Sequence, residues 1–239
     1  MGQLNVDNLL PACKPAQYFG SKFQYLNSSL FIETTLVTAF VFIAIKFLAT
    51  SQTFKDVWFA SPGILFASAL IPIMLKRGKF PKIGFNIKQI SYSVIILVST
   101  GIVAFPALFA GLLLMKSYGL ELPLQPVMPN GQDWICWLFY QFMYVAVAEE
   151  VFFRWFLQSN ISAIIEGQYR LQKWISIVVS AACFAVAHII VQGQFISVLT
   201  FFPGVVLGWL FSKTKTLLAP ILFHGLANCC YLLMTTMLT

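Results

Sequence analysis

The chain has 239 residues, of which 59% are hydrophobic and only 10% charged, and its mean hydropathy is +0.82. A soluble domain carries about 25% charged residues, so this composition excludes one and specifies an integral membrane protein. The net charge of +7 does not signal nucleic acid, because the basic residues fall in alternate loops, as the positive-inside rule requires.

Residues 1–29 lack the basic-then-apolar run and small-residue cleavage site of a signal peptide and are expected to form a short, partly amphipathic cytoplasmic lead-in. A span needs about 20 largely apolar residues. Seven stretches qualify: 30–49, 57–75, 90–115, 134–157, 174–191, 195–211 and 217–238. The third contains Pro106, a place for a kink or break. The expected fold is therefore all-α, a polytopic membrane helix bundle of about seven transmembrane helices, within a range of six to eight. Residues 30–239 should form one transmembrane domain, with no repeat or low-complexity linker.

Lys76, Arg77, Lys79, Lys82 and Lys88 share one loop, Arg170 and Lys173 another, and Lys213 and Lys215 a third. Lys55 and Lys116 are the only basic residues in the loops between them, while Lys14 and Lys22 mark the start. This asymmetry places the N-terminus in the cytoplasm and, with seven spans, the C-terminus outside. The basic loops then face anionic lipid. Cys136, Cys183, Cys229 and Cys230 read as small apolar residues, with no metal-type pairing, and Cys13 is either lipidated or idle.

Three spans carry polar motifs where ionisable groups are expensive and usually functional. The fourth holds Glu149-Glu150-Val151-Phe152-Phe153-Arg154, the fifth Phe184-x-x-x-His188, and the last His224-x-x-x-Asn228. Glu149 lies about 16 residues into its span, roughly 24 Å along it. Glu150 and Arg154 are i and i+4, on one face and able to pair, which leaves Glu149 as the odd acid. A carboxylate in an apolar, partly dry site can trade protons near neutrality, which suits a general base activating water. The alternative is that both acids and Arg154 form a purely structural interhelical knot.

His188 sits among small residues that let helices approach closely, and Phe184, one turn earlier, is placed to shield it. His224 and Asn228 project from one face, and two convergent donors are what a developing oxyanion needs. Gly225 and Ala227 between them are expected to keep the adjoining surface thin for a substrate backbone. Interhelical hydrogen bonding is the competing role for all three of these polar residues. Depth is the one mismatch. Counted from the cytoplasmic ends, His188 lies roughly 10 Å farther out than Glu149 and His224. That gap closes if the fifth span begins well below the membrane surface or, the reading favoured here, if the fourth helix continues through 158–165.

Together the motifs resemble those of the CAAX-protease and bacteriocin-processing family of intramembrane endopeptidases, which carries them in this order on successive core helices. The resemblance covers about residues 134–228, the expected catalytic core. It implies a glutamic-type peptidase without a cofactor or metal, in which Glu149 with His188 activates water and His224 with Asn228 stabilises the oxyanion. Glu150, Arg154 and Phe184 would support them. The implied partners are the lipid bilayer and a membrane-associated protein or peptide with a terminal leader, sorting or CAAX-like segment, and no nucleic acid. The compact chain reads as an enzyme of the bacterial inner membrane. The other readings are a haem protein with the two histidines as axial ligands, a zinc protease, although His-Glu-x-x-His is absent, and a non-catalytic membrane scaffold or immunity factor.

Overall fold

The computed structural model describes residues 17–51, 60–75, 87–124, 133–165 and 169–238. Seven helices follow one another: α1 Gln17–Thr50, α2 Ala60–Leu75, α3 Ile87–Ser117, α4 Trp134–Ile164, α5 Tyr169–Gln192, α6 Phe201–Thr214 and α7 Leu218–Leu238. No strand occurs among the described residues. This is the all-helical bundle the composition demands, since hydrocarbon supplies no partner for an unpaired backbone amide. Cys13, Lys14, Lys55 and the basic run at 76–82 lie outside the described residues.

Among the described residues, six helical stretches are long and apolar enough to cross a bilayer, α6 counting together with the 3₁₀ turn before it as Phe195–Thr214. The expected second span is α2, described over 16 residues, or about 24 Å, shorter than the roughly 30 Å hydrocarbon core. Within the lead-in, residues from Gln17 are already helical and continuous with the first span. α3 runs unbroken through Pro106. The expected sixth span opens differently. Gly193 has φ +69, Gln194 is extended, and Phe195–Thr200 forms a 3₁₀ turn before α6 begins.

α4 is the centre of the bundle. Its second half buries Phe152, Phe153, Trp155, Phe156 and Leu157 against Val41 and Ile45 of α1, Leu65 and Ala69 of α2, and Leu207 and Leu210 of α6. α5 and α6 form a close hairpin. Gly204 and Gly208, four apart, permit it: a Cβ on Gly204 would lie 3.2 Å from the Cβ of Ala181, and one on Gly208 3.2 Å from Ile177 Cγ2. Small residues let membrane helices gain van der Waals contact that lipid cannot replace. Outside, Phe31, Leu36, Ile43, Ile95, Ile102, Val103 and Phe202 are exposed, an apolar surface suited to lipid.

The depth mismatch between Glu149 and His188 narrows, because α4 continues to Ile164 while α5 starts earlier, at Tyr169. Glu149 then lies 15 residues before the end of α4, and His188 19 residues after the start of α5 at Tyr169. His224 is only six residues into α7. The α6–α7 turn is accordingly sunk into the protein, with Thr214, Thr216 and Leu217 buried.

Candidate active site

Glu149 and Glu150 occupy a short α-helical turn of α4, Val147–Glu150, between two π-helical stretches, Tyr140–Ala146 and Val151–Gln158. A step of four residues in an α-helix overshoots one turn by about 40°, so residues four apart drift off any fixed face. The wider π turns, closed i to i+5, offset that drift. Trp137, Gln141, Val145, Glu149 and Phe153 therefore stay in line, and all five border one cavity of about 250 Å³.

Across the cavity stand His188 and Gln192 of α5 and Asn228, Tyr231 and Leu232 of α7. Ile45 and Leu65 add an apolar side. The segment after α3 closes another: Leu124 lines the cavity, its carbonyl accepting from Tyr231 Oη at 2.8 Å and its N–H donating to the same oxygen at 3.2 Å. Ser197 Oγ donates to the neighbouring Pro123 carbonyl at 2.7 Å.

The two acids have separate surroundings. Glu150 is fully buried, accepting from Arg154 Nε through Oε2 and from His224 Nδ1 through Oε1, each at 2.9 Å. Arg154 also donates from Nη1 to Ser180 Oγ at 3.2 Å, and its guanidinium lies 5.1 Å over the Phe184 ring. Ser180 in turn donates to the Phe153 carbonyl at 2.7 Å. Contacts of this kind help a buried pair to offset its desolvation, although Arg154 Nη2 is buried with no hydrogen-bond partner among the described residues.

Glu149 reaches the cavity instead. Its Oε2 is buried with no hydrogen-bond partner among the described residues. His224 Nε2 lies 3.8 Å away, beyond hydrogen-bonding distance. His188 Nδ1 donates to the Phe184 carbonyl at 2.9 Å; a carbonyl only accepts, so Nδ1 carries a proton and Nε2 is the nitrogen left to act elsewhere. Phe184 is the common neighbour, with ring centroids 4.3 Å from His188 and 5.8 Å from His224.

Glu150 and Arg154 carry opposite charges and pair directly. Among the described residues, no group of three or more His, Cys, Asp or Glu side chains is arranged to hold a metal ion.

Glu149, His188 and Asn228 thus meet at one cavity, while His224 stands behind Glu149 and bridges towards both acids. The expectation for Gly225 is corrected. Its bare side does not offer space to a substrate, because the Phe142 ring fills it and a Cβ there would overlap that ring. Gln141 was missed from the sequence. Its side-chain oxygen accepts from Asn228 Nδ2 at 2.9 Å. A polar amide inside an apolar span was the available signal.

Residues 131–230 match the family model described as Rce1-like, type II CAAX prenyl endopeptidase. That match supports the resemblance to the CAAX-protease and bacteriocin-processing family over this segment. The matched segment holds all three polar motifs, and three of the seven side chains expected to act or support, Glu149, His188 and Asn228, line the cavity. Members of this family are proteases, and the apolar helices make this chain an integral membrane protein. No curated protein and no solved structure matches the chain.

Proposed function

We propose that the protein is a glutamate-dependent intramembrane endopeptidase that hydrolyses a peptide bond in a membrane-associated protein or peptide. The observation that carries this reading is the carboxylate of Glu149, with one buried oxygen lacking a protein partner, at the wall of a cavity it shares with His188 and Asn228. A buried acceptor left without a partner is costly, and a water bound for attack on a carbonyl would satisfy it.

In this mechanism Glu149, with His188 Nε2, takes a proton from water as the water oxygen bonds to the scissile carbonyl carbon. Asn228 and His224 donate to the resulting oxyanion. Because Glu150 holds Nδ1–H, His224 donates from Nε2 only as the imidazolium. Glu149 then returns its proton to the leaving nitrogen as the C–N bond breaks, giving a carboxylic acid and an amine.

The apolar side of the cavity, with Ile45, Leu65, Trp137 and Val145, suits a hydrophobic or lipid-modified segment. Two substrate classes fit, a prenylated C-terminal CAAX peptide and a leader or sorting peptide of a secreted protein, the second agreeing with a bacterial inner-membrane enzyme. The test is Glu149→Gln, assayed in detergent on both peptide classes with the protein accumulating normally. Activity is expected to fall by about 10²–10⁴, the usual effect of losing a general base. Retention of more than about a tenth of wild-type turnover would exclude the glutamate mechanism.

A further inference from the structure

We propose that Gln141 is a positioning residue that fixes the polarity of the Asn228 amide; the proposal rests on the endopeptidase reading above. An asparagine amide has an oxygen and a nitrogen of nearly equal shape, and only the nitrogen can donate to an oxyanion. Something must therefore decide which end points where. Gln141 Oε1 can only accept, and it holds Asn228 Nδ2 at 2.9 Å, across 87 residues of sequence. Engaging one N–H of that nitrogen leaves its second N–H in the same amide plane, at the cavity both residues line.

The backbone of α4 is built to deliver this contact. Gln141 lies within the π stretch Tyr140–Ala146, eight residues before Glu149. In an uninterrupted α-helix, eight residues would turn Gln141 about 80° away from Glu149. The π turns return it to the face of Glu149. One helix thereby positions both the acid and the acceptor that orients the asparagine. Next to Gln141, the Phe142 ring seats against Gly225, three residues before Asn228. α4 and α7 are thus locked at the place where the amide register matters.

The experiment is a double-mutant cycle on purified protein in detergent, with a quenched fluorescent peptide ending in a farnesylated CAAX sequence and one bearing a hydrophobic leader. Gln141→Met keeps length and removes the acceptor. In the wild-type background kcat is expected to fall about tenfold, part of the 10²–10³ lost with a whole oxyanion donor, while KM stays within about twofold. In the Asn228→Ala background the same change is expected to have no further effect, since residues acting as one unit are not additive. Equal losses in both backgrounds would overturn the positioning role, even with Glu149→Gln inactive. An active Glu149→Gln would remove the endopeptidase reading instead. A second readout needs no activity. In asparagine-labelled protein the Asn228 side-chain ¹⁵N–¹H resonances should shift in Gln141→Met and hold still in Gln158→Met, whose amide bonds Gly208 and Ser212. Should Gln141→Met fail to fold, Gln141→Glu keeps an acceptor oxygen within reach, and the Asn228 N–H signals are expected to remain hydrogen-bonded. Asn228 resonances unmoved by Gln141→Met, or freed in Gln141→Glu, would refute the proposal.

Discussion

Arg154 is gripped from three directions: Glu150 on its own helix, Ser180 on α5, and the face of Phe184. Its removal would leave Glu150 a fully buried carboxylate supported by His224 alone. Arg154→Met is therefore expected to destabilise the protein by about 3–5 kcal/mol, the usual cost of breaking a buried pair by deleting one partner. Arg154→Lys should recover only part of this, because a single ammonium lacks the fork that meets Glu150 and Ser180 together. Thermal unfolding in detergent measures both, and a melting temperature for Arg154→Met equal to wild type would exclude this account. The Glu150–Arg154 pair was legible in the sequence because i and i+4 contacts follow from helix geometry alone. The grip of Glu150 on His224 was not, since 74 residues separate them and no local rule connects them.

At the scale of the helices, α4 explains both what the sequence reveals and what it hides. The lengths and order of the apolar stretches expose the helices, and the motifs expose Glu149, His188, His224 and Asn228. A π turn has no comparable signature, so the line of residues from Trp137 to Phe153 is invisible to 3.6-residue periodicity. Gln141 was lost for that reason, and Gly225 was assigned to the substrate because its partner, Phe142, projects from the same π stretch. This contact is also the sharpest test of the α4–α7 interface. Gly225→Ala places a methyl group inside the volume of the Phe142 ring, and overpacking of this kind costs about 1–3 kcal/mol. Phe142→Leu is expected to relieve much of that loss, so the double mutant should be more stable than Gly225→Ala alone. If the two changes simply add, the ring and the glycine are not in contact and the interface is wrongly drawn.

Across the whole molecule, the threading of the seven described helices through the bilayer turns on α2. Its 16 described residues fall short of a full span, yet it packs on α1 and on α4 around the two glutamates and contributes Ser61, Pro62 and Leu65 to the cavity. Charge supplies the independent argument. The segment after α2 carries Lys76, Arg77, Lys79 and Lys82, with Lys88 in the first turn of α3, whereas the segment before α2 has Lys55 as its only basic residue. By the positive-inside rule, five basic residues against one are expected to keep the segment after α2 in the cytoplasm. If α1 and α2 both cross, the N-terminus joins it there, and the five helices that follow carry the C-terminus to the outside. Tags at the N-terminus and within 76–88 should accordingly be reached by an impermeant reagent only after the cytoplasmic face is opened, and a tag after Met237 without opening it. A partly inserted α2 gives a different pattern, with the N-terminus and the 76–88 loop on opposite faces. That result would reduce the bundle to six crossings and make α2 a re-entrant wall of the cavity. In that case a short helix beside Glu149 would admit water and substrate from one face only, and activity in sealed vesicles would depend on which face the peptide is offered to.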